Sequence, residues 1–243
     1  MKAVILAGGK GTRLAPYTKI IPKPLVPLGG RPILDIIIRQ LAHYDFRDII
    51  LSVGYFADLI EDHFKNSDIR LPDVNLSYVK EDKPMGTAGS LSLIPELTEA
   101  FMTMNGDVLT TMDYSKLSAY HREKGGILTI AVCRKLSKID LGVIEMNNKG
   151  VLTGYMEKPE NTHMVSMGVY VYEPKVLEYI DPGAYLDFPD LVIRLLNKGE
   201  KVMGYTYDGY WLDIGRHEDY IRAQEEFIRI KDELLPKGNC YIK

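Results

Sequence analysis

The sequence predicts an α/β fold, a mixed and mostly parallel sheet flanked by helices. In the first half, apolar runs of strand length alternate with segments whose apolar residues recur at helical spacing. In the second half, short apolar runs crowd together between turn signals, which adds further strands. With 243 residues, 46% hydrophobic and 26% charged, the chain has material for a substantial core and an ordinary globular surface.

In order, Ala3–Leu6 is a short apolar strand that runs straight into a glycine-rich loop. Ile33–Leu41 has helical spacing, with Pro32 at the first turn, where proline is tolerated. Asp48–Val53 is an apolar strand, and Phe56–Phe64 is a helix with Leu59, Ile60 and Phe64 on one side. Asn75–Val79 alternates like a strand, and Ala88–Ile94 begins a third helix. Phe101–Met104 is a strand ending at Asn105-Gly106-Asp107. Leu128–Cys133, Gly142–Met146, Val151–Met156 and Met167–Tyr172 follow as strands, with turn signals at Asn147-Asn148 and Asp181-Pro182-Gly183. Asp190–Asn197 is a helix ended by Gly199, and Glu218–Leu235 is a charged amphipathic helix stopped by Pro236. Without an internal repeat or low-complexity linker, residues 1–243 read as one continuous domain.

Several function classes are disfavoured at once. A formal net charge of −3 gives no electrostatic support for nucleic-acid binding. Cys133 and Cys240 are far apart and lack metal-ligand spacing, so a zinc site and a disulfide framework are not expected, and a reducing cytoplasm fits best. His43, His63, His121, His163 and His217 are scattered. The apolar run at the start is too short for a signal-peptide core, and no stretch approaches a membrane span. The expectation is a cytoplasmic protein without a membrane anchor.

The stretch LAGGKGTRLAPYTKIIPKPL, Leu6 to Leu25, carries the chemistry. Leu6, Ala7, Gly8, Gly9, Gly11 and Thr12 bring backbone N–H groups to the end of a strand, a setting that suits a phosphate. Neither common nucleotide pattern is present: GxxxxGK[ST] is missing, and Leu14 stands where GxGxxG needs its third glycine. Arg13 offers a bidentate fork for phosphate oxygens, and Lys23 offers a point charge stiffened by Pro22 and Pro24. Asp107 sits at the C-terminal end of a strand, the edge where open α/β sheets bind ligands, and its carboxylate suits Mg²⁺. Read on residues alone, Asn105-Gly106-Asp107 is equally a tight turn. Asp213 is a second carboxylate candidate; its other reading is an N-cap for the last helix, a place for which Asp219 competes.

LAGGKGTRL followed by IPKPLVPLGGRPIL resembles the signature of sugar-1-phosphate nucleotidylyltransferases, also called nucleotide-sugar pyrophosphorylases, from Met1 to about Phe227. The resemblance implies a Rossmann-like, GT-A-like nucleotidyltransferase fold. It divides the domain into a nucleotide-binding half, about residues 1–110, and a sugar-phosphate-binding half, about 111–235. It also implies that Asp107 and Asp213 hold Mg²⁺. In Glu157-Lys158-Pro159, it implies that Lys158 binds the sugar's phosphate and Glu157 its hydroxyls, although such a triplet is also common in surface turns. Gly142 matches a glycine that leaves room for the sugar ring, and Gly168 another pocket glycine. Residues 80–89 correspond to the segment facing the nucleobase, with Gly86 allowing close approach and Thr87 at a helix start. Glu81 leans toward guanine, whose adjacent N1–H and 2-amino donors suit a carboxylate. The wording PMGTAGSL is also similar to that of mannose- or heptose-1-phosphate guanylyltransferases.

The expected reaction is NTP plus sugar 1-phosphate giving NDP-sugar and pyrophosphate, with GTP favoured and Mg²⁺ as cofactor. The same chemistry with dTTP, UTP or CTP stays open. A glycosyltransferase is disfavoured because Asp107-Val108-Leu109 lacks the second aspartate of Asp-x-Asp. A non-catalytic nucleotide-sugar-binding regulatory protein is the rival of another class, and the retained Arg13, Lys23, Asp107 and Asp213 speak against it. Only Pro236–Lys243 follows the last helix, so no hexapeptide-repeat β-helix and no fused acetyltransferase are expected. The family resemblance makes a homodimer the expected assembly.

Overall fold

The computed structural model describes residues 1–66 and 73–235. Pro236 and Cys240, named above, lie outside them.

β1 (Lys2–Ala7) and β4 (Asp48–Val53) are short apolar runs, and almost every residue of each is buried. Buried on both faces, they read as continuous hydrophobic runs rather than alternating ones. Between them come two short paired strands, β2 (Pro27–Leu28) and β3 (Arg31–Pro32), and α1 (Ile33–His43). Then follow α2 (Ala57–Asn66), β5 (Asn75–Lys80), a single turn α3 (Gly86–Gly89), β6 (Phe101–Asn105) and β7 (Val108–Thr110). The third helix is therefore much shorter than its sequence suggests, passing at once into a 3₁₀ turn over Ser90–Leu93.

α4 (Tyr114–Lys124) is a helix that the apolar pattern does not reveal, because its buried face is Tyr114, Leu117, Ser118 and His121. Asp113 caps it, accepting from the N–H groups of Ser115 at 2.9 Å and Lys116 at 3.3 Å. β8 (Leu128–Lys138), β9 (Val143–Met146), β10 (Leu152–Met156) and β11 (Glu160–Tyr172) make the strand-rich half. β8 and β11 run well beyond their apolar cores into an exposed ribbon. α5 (Phe188–Asn197), β12 (Val202–Thr206), β13 (Trp211–Asp213) and α6 (His217–Leu234) complete the described chain.

Seven strands form the main sheet in the order β12-β8-β11-β6-β1-β4-β5. β5, β4, β1 and β6 are mutually parallel, β11 opposes both β6 and β8, and β12 is parallel to β8. Alternate residues of β1 enter different cores. Ala3, Ile5 and Ala7 join α1, Leu117 of α4 and Phe227 of α6 on one face, while Val4 joins Leu91, Leu191 and Leu195 on the other. Helices thus cover both faces of the sheet.

The chain leaves β1 toward β4 on one side and later returns to β6 on the other. The strand order therefore reverses between β1 and β6. Open α/β sheets bind ligands at the carboxyl ends of the strands at such a point. The glycine loop follows β1, and Asp107 follows β6. Among the described residues no helix is long and apolar enough to cross a membrane.

Candidate active site

Gly11 holds the loop after β1 in shape. Its φ is +60°, and a Cβ there would meet Thr18 Cγ2 at 2.9 Å and Lys23 Cβ at 3.0 Å. The Thr18 hydroxyl donates to Gly11 O at 2.8 Å, closing the loop on itself. Residues 12–25 then form three 3₁₀ turns, the last of them over Lys23–Leu25, so Lys23 sits at the start of a turn with Pro22 before it and Pro24 after it. Proline on both sides leaves little freedom in the backbone that carries the lysine.

Lys23 Nζ forms an ion pair with Asp107 Oδ2, both side chains being largely buried. Asp107 Oδ1 is buried without a hydrogen-bond partner. Gly106 N–H donates to Leu6 O at 2.9 Å, which ties the turn after β6 to the end of β1. Asp213 comes from β13, which pairs with β7 so that Asp213 stands opposite Val108. Ile214 N–H donates to Asp107 O at 3.0 Å, so the two aspartates are linked through backbone on adjacent strands. Burial, then the nearby Asp107 carboxylate, pushes the Asp213 carboxyl above its usual range, while Lys23 and Arg13 pull it back. Asp213 caps no helix: Arg216 is the N-cap of α6, and Asp219 accepts the Arg216 N–H at 2.8 Å.

Lys23 and Asp107 line a cleft of about 240 Å³, and Asp213 stands behind its wall at Gly215. Leu6, Ala7, Gly9, Gly11 and Thr12 form its loop wall, and Arg13, Lys23 and Asp107 supply the charge. Pro24, Gly106 and Gly215 also line it. Gly215 is the residue the sequence pattern passed over. A Cβ on it would lie 3.4 Å from Asp213 Oδ2 and 3.5 Å from an Arg13 guanidinium nitrogen, so glycine keeps that wall thin.

The expected base-facing segment lies beside this cleft. A Cβ on Gly8 would be 2.7 Å from Glu81 Oε1. Glu81 Oε1 accepts from the Ser52 hydroxyl at 3.0 Å, and Oε2 from Met85 N–H at 3.1 Å. The carboxylate is therefore oriented by the protein and does not hang free in solvent. Gly86 has φ +76°, and the space of its missing side chain is taken by Leu186 O, 2.5 Å from an ideal Cβ. Backbone packing against the stretch before α5 already demands glycine there. The Thr87 hydroxyl accepts from Phe188 N–H at 2.8 Å, so it serves the first turn of α5.

The sugar-side residues divide. Gly168, φ +74°, lies at an irregularity of β11, and a Cβ there would be 2.7 Å from Asn105 Nδ2, beside the turn that carries Asp107. Gly142, Glu157 and Lys158 lie on the arm of β9, β10 and the following turn, and none of them lines the phosphate cleft. Glu157 and Lys158 are exposed. Lys158 has φ +46°, a left-handed conformation that costs a non-glycine residue about 1 kcal/mol. The space beside Gly142 is filled by the Tyr155 hydroxyl, 2.2 Å from an ideal Cβ.

A mixed, mostly parallel sheet with a glycine loop, two cations and two carboxylates at its switch point defines an α/β protein whose site suits phosphate. The chain belongs to the nucleotidyl transferase family, whose match runs over residues 2–229. It is 32% identical over 243 residues to a UTP–glucose-1-phosphate uridylyltransferase of Synechocystis, covering 92% of this chain and 62% of that protein. It is 31% identical over 229 residues to a mannose-1-phosphate guanyltransferase of Schizosaccharomyces pombe, covering 91% and 62%. The chain thus spans about three-fifths of the length of these curated relatives. The crystal structure of HddC from Yersinia pseudotuberculosis complexed with GMP-PN superposes with a TM-score of 0.72 at 27% identity, covering 93% of this chain and 99% of that one.

Proposed function

We propose that this protein transfers a nucleotidyl group from a nucleoside triphosphate, GTP by preference, to a sugar 1-phosphate, releasing pyrophosphate. The observation that carries this reading is the convergence of Arg13, Lys23 and Asp107 on one glycine-walled cleft at the switch point, with Asp213 behind its Gly215 wall. Two relatives, by their names, point to the same class of chemistry, and a structural neighbour is described in complex with GMP-PN.

A phosphate oxygen of the sugar 1-phosphate attacks the α-phosphorus in line. The bond from the α-phosphorus to the bridging oxygen breaks, and pyrophosphate leaves with that electron pair. The attacking oxygen is already ionised at neutral pH, so no general base is required. The chain's work is positioning and charge neutralisation. The loop of Gly8, Gly9 and Gly11 cradles the triphosphate with backbone N–H groups. Arg13 steadies the departing pyrophosphate, and Lys23 leaves Asp107 to follow the α-phosphate. On the arm, Lys158 holds the incoming sugar phosphate and Glu157 accepts from sugar hydroxyls.

Asp107 and Asp213 suit a hard divalent cation, Mg²⁺ in our reading. The two carboxylates stand close together, Asp107 keeps a buried oxygen without a partner, and the carboxyl of Asp213 is raised by burial and then by Asp107. When bound, such an ion supplies positive charge to the phosphate oxygens.

Glu81 supports guanine. Its oxygens already accept one hydrogen bond each, and each keeps a lone pair for the adjacent N1–H and 2-amino donors. The uridylyltransferase relative keeps UTP as the second reading. In this reading residues 1–110 handle the nucleotide and residues 111–235 the sugar phosphate. Pyrophosphate release from each triphosphate paired with each sugar 1-phosphate tests the assignment. Release with UTP alone would discard the guanine argument and keep the reaction.

A further inference from the structure

The arm carries a three-residue arrangement of Tyr155, Glu157 and Gly142. Tyr155 lies on β10 opposite Ile144 of β9. Its hydroxyl donates to Glu157 Oε2 at 2.7 Å. The same hydroxyl oxygen sits 2.2 Å from where a Cβ of Gly142 would be, and Cζ of the ring sits at 2.6 Å. Gly142 is therefore the floor on which the phenol head rests, and the phenol in turn holds the carboxylate.

We propose that Tyr155 is the positioning residue of the sugar subsite: seated over Gly142, it fixes Glu157 and thereby sets which sugar 1-phosphates are accepted. The proposal rests on the reaction assigned above. Its physical basis is local. Glutamate is among the side chains with most rotamer freedom to lose, and Glu157 is exposed on a turn. A carboxylate oxygen bonded in advance removes part of that loss from the binding step. With Oε2 occupied by the phenol, Oε1 faces a ligand as an acceptor for hydroxyl donors, and the tyrosine oxygen keeps its own acceptor capacity. Tyr155 itself is 64% exposed, so a pyranose reaches the pair without moving the core. The ligand class is a hydroxyl-rich sugar ring carrying a phosphate that Lys158 holds.

Initial-rate kinetics of Tyr155→Phe test it. Loss of one charge-assisted hydrogen bond is expected to raise KM for the sugar 1-phosphate by about tenfold or more. KM for the nucleotide and kcat should stay near wild type, and the preference between mannose and glucose 1-phosphates should shrink. Tyr155→Phe combined with Glu157→Gln should be no worse than Glu157→Gln alone. An unchanged sugar KM in Tyr155→Phe, or losses that simply add in the double variant, overturns the proposal. Wild-type protein that releases no pyrophosphate with any sugar 1-phosphate overturns the underlying reaction as well, and that result is separate from a wild type that turns over while Tyr155→Phe matches it.

Discussion

The ion pair between Lys23 and Asp107 shows how the cleft balances its charge. One carboxylate oxygen is neutralised by an internal cation, the other is left buried without a partner, and a second carboxylate stands nearby with its proton affinity raised. The proposed phosphate and cation would relieve these unfavourable electrostatics. Arg13→Ala and Asp107→Ala should each cut turnover by roughly two to three orders of magnitude, the scale of losing one charge-stabilising group. Circular dichroism should report an intact fold in both. Asp213 makes a sharper prediction. Because its carboxyl is raised in the fold, the folded state holds that proton more tightly than the unfolded chain does, and stability falls as pH rises through the carboxylate range. Asp213→Asn removes that penalty. It should raise the melting temperature at pH 7 by a few degrees, the scale of about 1 kcal/mol in a domain of this size, while turnover is lost. Added Mg²⁺ should stabilise the wild type more than the variant. At this scale Arg13, Lys23 and Asp107 are legible in the sequence, because charge between glycines or prolines is an unusual expense for a loop. Tyr155 is not, since a tyrosine on a strand is ordinary until its hydroxyl is seen on Glu157. Gly86 shows the opposite case: glycine is needed there, and Leu186 O fills its space.

The elements explain how the loop stays in place. α6 docks on β2 and β3: the Tyr220 hydroxyl donates to Pro27 O at 2.6 Å, and Gln224 donates to the same oxygen at 3.2 Å. Its first turn also holds the basic loop, with Tyr17 stacked on His217 at 5.7 Å and edge-on to Tyr220 at 5.5 Å. Gly29, φ +56°, lets the Phe227 ring come so close that a Cβ there would lie 2.0 Å from it. Gly29→Ala should therefore destabilise by about 1–3 kcal/mol through overpacking, with more from the left-handed backbone. Thermal denaturation reads the loss, and a raised nucleotide KM would show that α6 supports the phosphate loop. The strands that apolar runs reveal include the buried β1, β4 and β6 and also the exposed β9 and β10. α4 is hidden because serine, histidine and tyrosine make up most of its inner face. The outer parts of β8 and β11 are hidden because an exposed ribbon needs no apolar alternation. β12 and β13 are short, and β12 is only partly buried.

At the scale of the whole molecule, the two cores clamp the sheet so that its switch point stays open at one edge. Buried polar contacts help fix the far side. His121 accepts or donates at Thr129 Oγ1, 2.7 Å away, and meets Glu173 Oε1 at 3.2 Å. Burial lowers its pKa, with Glu173 opposing, so the folded state keeps the ring neutral while the unfolded chain takes a proton. This contribution to stability is present above the ordinary value of 6.5 and is lost as pH falls through and below it. Urea denaturation should show that decline flattened in His121→Gln. The alternation of strands and helices was enough to foresee the sheet and the edge at which the glycine loop and Asp107 lie. The outer reach of β8 and β11 was not, because an exposed ribbon needs no apolar alternation, although β9 and β10 of the arm were expected as strands. The most direct test of the account is pyrophosphate release by the purified protein with Mg²⁺, pairing GTP, dTTP, UTP, CTP and ATP with mannose, glucose and glucosamine 1-phosphates. The account predicts release that requires both a sugar 1-phosphate and Mg²⁺ and is fastest with GTP; folded protein that binds nucleotide yet releases no pyrophosphate with any pair would contradict it.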